Sequence, residues 1–175
     1  DIVNMFQDTL VAMDWDGKTA IPYLAKSWTV SPDGRLYTFN LRDDVQFCSG
    51  KKFTADDVVY SFKRLTSPEL KAPLAWRAGN LKDIRAKDAY TVEYELNEPF
   101  SDLLLNLTMF TTAIHNMESV ESLGKDCGTK AIDGTGPWCF ESWQPRTEIV
   151  LKRHDAYKWG PSMYQNKGPV KFEKL

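Results

Sequence analysis

Cysteine and histidine are scarce here: 175 residues contain three of the first and two of the second. Three cysteines are too few for a disulfide scaffold, and the odd number leaves at least one unpaired within the chain. No Cys-x-x-Cys spacing occurs, so a zinc site is not expected. An excess of either charge is also lacking. Lys plus Arg number 22 against 24 Asp plus Glu, a net charge of −2. The two signs are mixed along the chain, which argues against a phosphate-tracking surface and so against a nucleic-acid partner. Long apolar runs are missing too; the best, around Leu103 to Leu105, is broken by Asn106, far short of the roughly 18 residues a membrane-crossing helix needs. No repeat at periods of 20 to 50 residues is visible. What is present is an ordinary globular share of apolar residues, 42%, enough for a folded core.

The machinery of catalysis is equally thin. Neither His115 nor His154 stands in a His-x-x-x-His pair, and no Gly-x-Ser-x-Gly elbow occurs. Gly17-Lys18-Thr19 resembles the end of a phosphate loop, but that pattern needs a glycine where Ala12 stands. The carboxylate pairs Asp43-Asp44 and Asp56-Asp57 flank element ends and read as solvated caps rather than as an acid and base couple. No catalytic residue, metal ligand or cofactor is assigned, and the chain is read as a non-enzyme.

Periodicity supplies the elements. Tyr37, Phe39 and Leu41 share one strand face, and Ser31-Pro32-Asp33-Gly34 before them fits a type I turn, so a hairpin with the strand through Trp28 is expected. A weaker turn, Asp14 to Lys18, separates Val11-Ala12-Met13 from Ile21 to Leu24. Thr54-Ala55-Asp56-Asp57 reads as a helix start, followed by the apolar stripe Val58, Val59, Phe62 and Leu65. Ser67 to Leu70 predicts a further short helix, Val92, Tyr94 and Leu96 a half-buried strand, and Asp102 to Leu107 a helix capped by Ser101. Met109 to Ile114 is β-prone, and Met117 to Leu123 reads as a helix capped by Asn116 and ended by Gly124. Trp138 to Trp143, Glu148 to Arg153 and Val170 to Leu175 read as strands. The whole predicts a mixed α/β fold.

Aromatics are abundant, with 6 Trp, 7 Tyr and 9 Phe. Most fall on the buried stripes. Trp76, in Pro73-Leu74-Ala75-Trp76-Arg77, stands in a loop-like segment beside a cation and reads either as an aromatic offered to a ligand or as a cap on the core. Among the cysteines, Cys127 and Cys139 are the candidate pair, closing a short loop, with Cys48 to Cys139 open as the alternative.

The order of motifs carries more than any one of them. Leu24-Ala25-Lys26-Ser27-Trp28, Ser31-Pro32-Asp33-Gly34, and Val45-Gln46-Phe47-Cys48-Ser49-Gly50 running on through Thr54-Ala55-Asp56-Asp57-Val58 come first. Glu98-Pro99-Phe100, Gly134-Thr135-Gly136-Pro137-Trp138 and Tyr157-Lys158-Trp159 follow. In this order they resemble the extracellular solute-binding proteins of the peptide and nickel group, which serve ABC importers. The resemblance implies a portion of a type II periplasmic-binding-protein fold, in which two hinged lobes close on a ligand and an extra small domain is set into the first lobe.

On that layout residues 11–114 correspond to the extra domain, while residues 1–10 and 115–175 are portions of the first lobe. The second lobe and the first strand are expected to be absent. Function by resemblance is capture of a peptide or peptide-like solute in the periplasm or outside the cell, and delivery to a membrane permease driven by separate ATPase subunits. Any secretory signal would precede Asp1. The ligand-facing positions implied are Trp76 and the segment Met109, Phe110 and Thr111, although Met109 offers no charge where some relatives use arginine. Cys48 and Ser49 also depart from the family pattern. A truncated lobe would leave an apolar face inviting dimerisation, so a self-associating interaction domain is the alternative function.

Overall fold

The computed structural model describes residues 3–175. Residues 1 and 2 of the first-lobe segment therefore lie outside the described residues. The centre of the fold is a four-stranded antiparallel sheet in the order β3-β4-β6-β5, formed by Ala25–Val30, Leu36–Leu41, Thr91–Leu96 and Leu81–Asp88. Alternation decides which face is inside: Tyr37, Phe39 and Leu41 on β4 and Val92, Tyr94 and Leu96 on β6 are buried, while the residues between them are not. Tyr37 pairs with Tyr94 and Phe39 with Val92, so the two apolar rows lie side by side.

Helix α2, Ala55–Leu65, covers this face, with Phe62 meeting the Tyr94 ring edge-on at 5.2 Å between centroids. Its start is fixed by Asp57, which reaches back to accept from the Thr54 amide at 3.1 Å. Asp57 is fully buried and also accepts from Lys51 Nζ (2.7 Å) and from the Met117 amide (3.1 Å). One carboxylate thus ties α2 to the preceding loop and to α4, Met117–Leu123. Helix α4 begins where Asn116 Oδ1 accepts from the Ser119 amide and ends at Gly124, with φ 52°.

Two small hairpins complete the body: β1 (Val11–Met13) with β2 (Ala20–Pro22), and β7 (Trp138–Gln144) with β8 (Glu148–Arg153). Helix α1, Val3–Phe6, lies against β7. Phe6, Trp138 and Leu151 form a small apolar cluster there, apart from the large one under the main sheet. The large cluster draws on residues 10–114 and also takes Tyr157 and Trp159 from the tail. The stretch 132–137 passes so close to α1 that a Cβ on Gly134 would fall 1.7 Å from the Phe6 carbonyl oxygen. No helix among the described residues is long and apolar enough to cross a membrane.

Several expectations are corrected. Ser67 to Leu70 forms a turn, in which the Ser67 hydroxyl accepts the Glu69 amide at 3.2 Å and competes with helix propagation. The 3-10 turn comes later, at Ala75–Ala78. Met109 to Ile114 is not a strand: Phe110–Thr112 is a 3-10 turn closed by the Thr112 amide and hydroxyl, both donating to the Met109 carbonyl. The Asp102 to Leu107 helix shortens to α3, Leu103–Asn106. Val170 to Leu175 forms no strand of its own, although Leu175 exchanges both backbone hydrogen bonds with Leu151 of β8.

Strand β5 is an element that sequence reading missed. Its sequence LKDIRAKD places only Ile84 in the core, because it is an edge strand interrupted by two register shifts. Its charges instead pair across the sheet, Arg85 with Glu93 (2.7 Å) and Lys82 with Glu95 (2.8 Å).

The expected Cys127–Cys139 disulfide is also corrected. Cys48 pairs with Cys139 and Cys127 is free. The reason is the path of the 46–52 loop, which lies across the entry to β7. The Cys48 amide donates to the Gly134 carbonyl (2.9 Å), and the Ser49 amide and hydroxyl donate to Asp133 (3.0 and 2.6 Å). Cys127 sits instead in the turn after α4, where its amide donates to the Gly124 carbonyl.

Candidate functional site

The two 3-10 turns, Ala75–Ala78 and Phe110–Thr112, pack against each other and bring the sequence-derived positions to one region. Trp76 is 58% exposed, Phe110 43% and Met109 39%, a concentration of apolar side chains in water. The Arg77 guanidinium lies 4.9 Å from the centre of the Trp76 ring and donates through Nη1 to Asn106 Oδ1 at 3.2 Å. The indole is therefore held from one side by a cation while its remaining surface faces out. The core-cap reading of Trp76 does not fit that exposure. Arg77 Nε and Thr111 Oγ1 are buried without a hydrogen-bond partner.

Beside this rim opens a cavity of about 300 Å³ between the C-terminal half of α2, the 70–74 loop and residues 111–115. Leu65, Leu70 and Leu74 make its wall apolar, and Arg64, Thr111 and His115 contribute polar groups. Of the sequence-derived positions only Thr111 lines it; Trp76, Met109 and Phe110 stand outside. Such a setting, mostly apolar with few polar groups, suits a small organic ligand.

Behind the cavity lies a buried polar network that has no local sign in the sequence. Asp8 is 1% exposed and accepts hydrogen bonds from the Tyr23 hydroxyl, Thr135 Oγ1 (2.9 Å) and Trp159 Nε1 (3.1 Å). The Tyr157 hydroxyl lies 2.9 Å from that of Tyr23 and donates to it in turn. The Asp8 carbonyl accepts the Ile114 amide (2.9 Å), and Gln7 Nε2 donates to His115 Nδ1 (2.8 Å). Residues 7–8 and 114–115 thus run side by side.

Two groups at this crossing titrate in opposite senses. Burial pushes the Asp8 carboxyl up to about 6, against the hydrogen bonds it accepts. Burial, helped by the Arg64 charge, pushes the His115 imidazole down to about 4. Asp8 binds its proton more tightly when folded, so its stabilisation is complete below its unfolded value of 3.8 and is lost as pH rises through about 6. His115 resists its proton when folded, so its stabilisation is present above 6.5 and is lost as pH falls towards about 4. Each effect amounts to about 3 kcal/mol, and in the native chain they largely offset. Asp8→Asn is therefore expected to unmask acid lability between pH 6.5 and 4. His115→Gln is expected to lose stability from pH 4 to 6. Urea unfolding across this range checks both; parallel curves for the two variants would contradict the assignment.

Residues 19–175 match the family described as bacterial extracellular solute-binding proteins, family 5 middle. The di/tripeptide-binding protein 1 of Pseudomonas aeruginosa is 34% identical over 174 residues, covering 87% of this chain and 32% of that protein. The nickel-binding periplasmic protein of Escherichia coli is 30% identical, covering 90% and 30%. Among solved structures, the binding protein AgaA of A. tumefaciens R10 in complex with agropinic acid superposes with a TM-score of 0.85 at 28% identity, covering 99% of this chain and 33% of that one. The chain thus spans about a third of the length of the relatives it matches. The matched fold is a portion of a type II periplasmic binding protein, mixed α/β as the residues predict. By the match over residues 19–175 and these shared identities, the chain belongs to the bacterial extracellular solute-binding proteins of family 5.

Proposed function

We propose that this chain is the part of an ABC importer's substrate-binding component that presents one wall of the ligand cleft, and that the cargo is a peptide or a related small solute. The observation that carries the reading is the exposed rim of Trp76, Met109 and Phe110 beside a mostly apolar cavity, on a body of this family. Relatives bearing names for di- and tripeptides, glutathione and nickel support a small-solute cargo. In this reading residues 11–114 are the small inserted domain, and residues 3–10 and 115–175 belong to the first lobe. The opposing wall comes from another part of the gene product. Closure of the two walls desolvates the aromatics, and binding energy selects the closed form. Binding rather than turnover is the task, in the periplasm or outside the cell. A membrane permease receives the cargo and separate ATPase subunits drive its transport.

Trp76→Ala in the intact gene product tests this directly. The indole's exposure means its loss removes little packing, so the melting temperature is expected to stay within about 2 °C. Affinity for a di- or tripeptide ligand, read by calorimetry, is expected to fall about tenfold or more, as for an aromatic anchor in an interface. Unchanged affinity would remove Trp76 from the cleft.

A further inference from the structure

Away from the rim and the Asp8 network, one group of metal-binding side-chain types is assembled. The sulfurs of Cys48 and Cys139 and a ring nitrogen of His154 all lie within 4.8 Å of one another. In the oxidised chain the two sulfurs are joined, and it is the thiolate that ligates metals.

The three segments are held together by more than that bond. The Cys48 amide donates to the Gly134 carbonyl (2.9 Å), Ser49 is bound twice to Asp133, and the His154 amide donates to the Pro137 carbonyl (3.0 Å). Opening the disulfide therefore leaves the donors close. His154 is 4% exposed, and its Nδ1 lies 2.8 Å from the Gly136 carbonyl. A carbonyl only accepts, so Nδ1 carries the proton and the lone pair sits on Nε2. That is the tautomer a metal takes, with the carbonyl as the outer partner that fixes the ring. A cavity of about 310 Å³ borders all three residues and provides a route of entry, with Lys152 on its wall.

We propose that, once a dithiol or phosphine reductant has opened the disulfide, Cys48, Cys139 and His154 bind one soft monovalent cation, Cu(I), through two thiolates and one imidazole. The reductant gives up two electrons, and the two protein sulfurs take them up with two protons. Cu(I) then displaces both thiol protons, leaving a centre of net charge −1 beside a cavity wall that carries Lys152, Arg153 and Asp155. The donor count selects the ion. Among the described residues the group holds three candidate ligands, whereas a structural zinc site takes four. Soft sulfur donors favour Cu(I).

The test uses a Cys127→Ser background, so that the free thiol cannot contribute. Protein reduced with a phosphine and desalted without air is titrated with Cu(I) in competition with bicinchoninate. One equivalent is expected to bind at least 100-fold more tightly than to the oxidised protein, with X-ray absorption showing two sulfurs and one nitrogen. His154→Gln, with its disulfide intact before reduction, is expected to bind at least tenfold more weakly and to lose the nitrogen. Where reduction loosens the fold, as read by circular dichroism, one equivalent of Cu(I) is expected to restore it. Each of the following overturns the proposal: no stoichiometric binding by the reduced protein, equal binding by the oxidised protein, an unchanged affinity and spectrum in His154→Gln, a fold that Cu(I) does not restore, or a preference for Zn(II) over Cu(I).

Discussion

Removing the Cys48–Cys139 disulfide, by reduction or by Cys48→Ser with Cys139→Ser, is expected to lower unfolding free energy by about 4–5 kcal/mol. The bond joins residues 91 apart, and a cross-link closing a loop of that size removes denatured-chain entropy worth about 4–5 kcal/mol at 25 °C. The native side of the balance should change little, since Ser49 and the Cys48 amide keep the loop on Asp133 and Gly134 through hydrogen bonds. Guanidinium unfolding of the native and double-serine proteins measures the difference. A loss below about 1 kcal/mol would mean that the denatured chain is already compact around this tie. The double-serine protein should in addition be insensitive to reductant.

The second large effect is expected at Asp57. Its carboxylate is fully buried and receives Lys51 Nζ twice (2.7 and 2.9 Å), together with the amides of Thr54 and Met117. Asp57→Ala strips an opposite charge from a Lys51 side chain that is only 20% exposed and orphans two amides. Breaking a buried pair in this way costs about 3–5 kcal/mol. Lys51→Met should cost less, because the carboxylate keeps both amide donors. A double-mutant cycle between the two positions, read by urea unfolding, is expected to show coupling. Additive losses would place the importance of Asp57 in its amide contacts alone.

Asp57 also shows how much could be read without coordinates. The adjacent Asp56-Asp57 pair is legible as a helix-start signal, and α2 begins at Ala55 behind it. That the same carboxylate would be wholly buried, with Lys51 on one side and Met117 on the other, is not legible, because Met117 lies 60 residues away. The same division runs through the fold. Tyr37, Phe39 and Leu41, and Val92, Tyr94 and Leu96, announce themselves by period two, and a period is a local property. The edge strand β5 has no such period, since only its Ile84 reaches the core, two register shifts interrupt it, and its charges meet other charges. In the candidate site, Trp76 is visible as an aromatic outside any apolar stripe. The Asp8 network is not visible, because Tyr23, Thr135 and Trp159 converge on it from up to 151 residues away. The cysteines fall between these cases: three sulfurs limit the choices, and the path of the 46–52 loop makes the choice.

Strand β5 closes one side of the main sheet. A sheet that ends in unpaired amides is a template for another chain. Lys82, Arg85 and Lys87 on this border are paired with Asp83, Glu93 and Glu95, and two irregularities interrupt its register, so a neighbouring strand would meet charges already bound and a broken ladder. The β5 border therefore resists the addition of a neighbouring strand through its backbone.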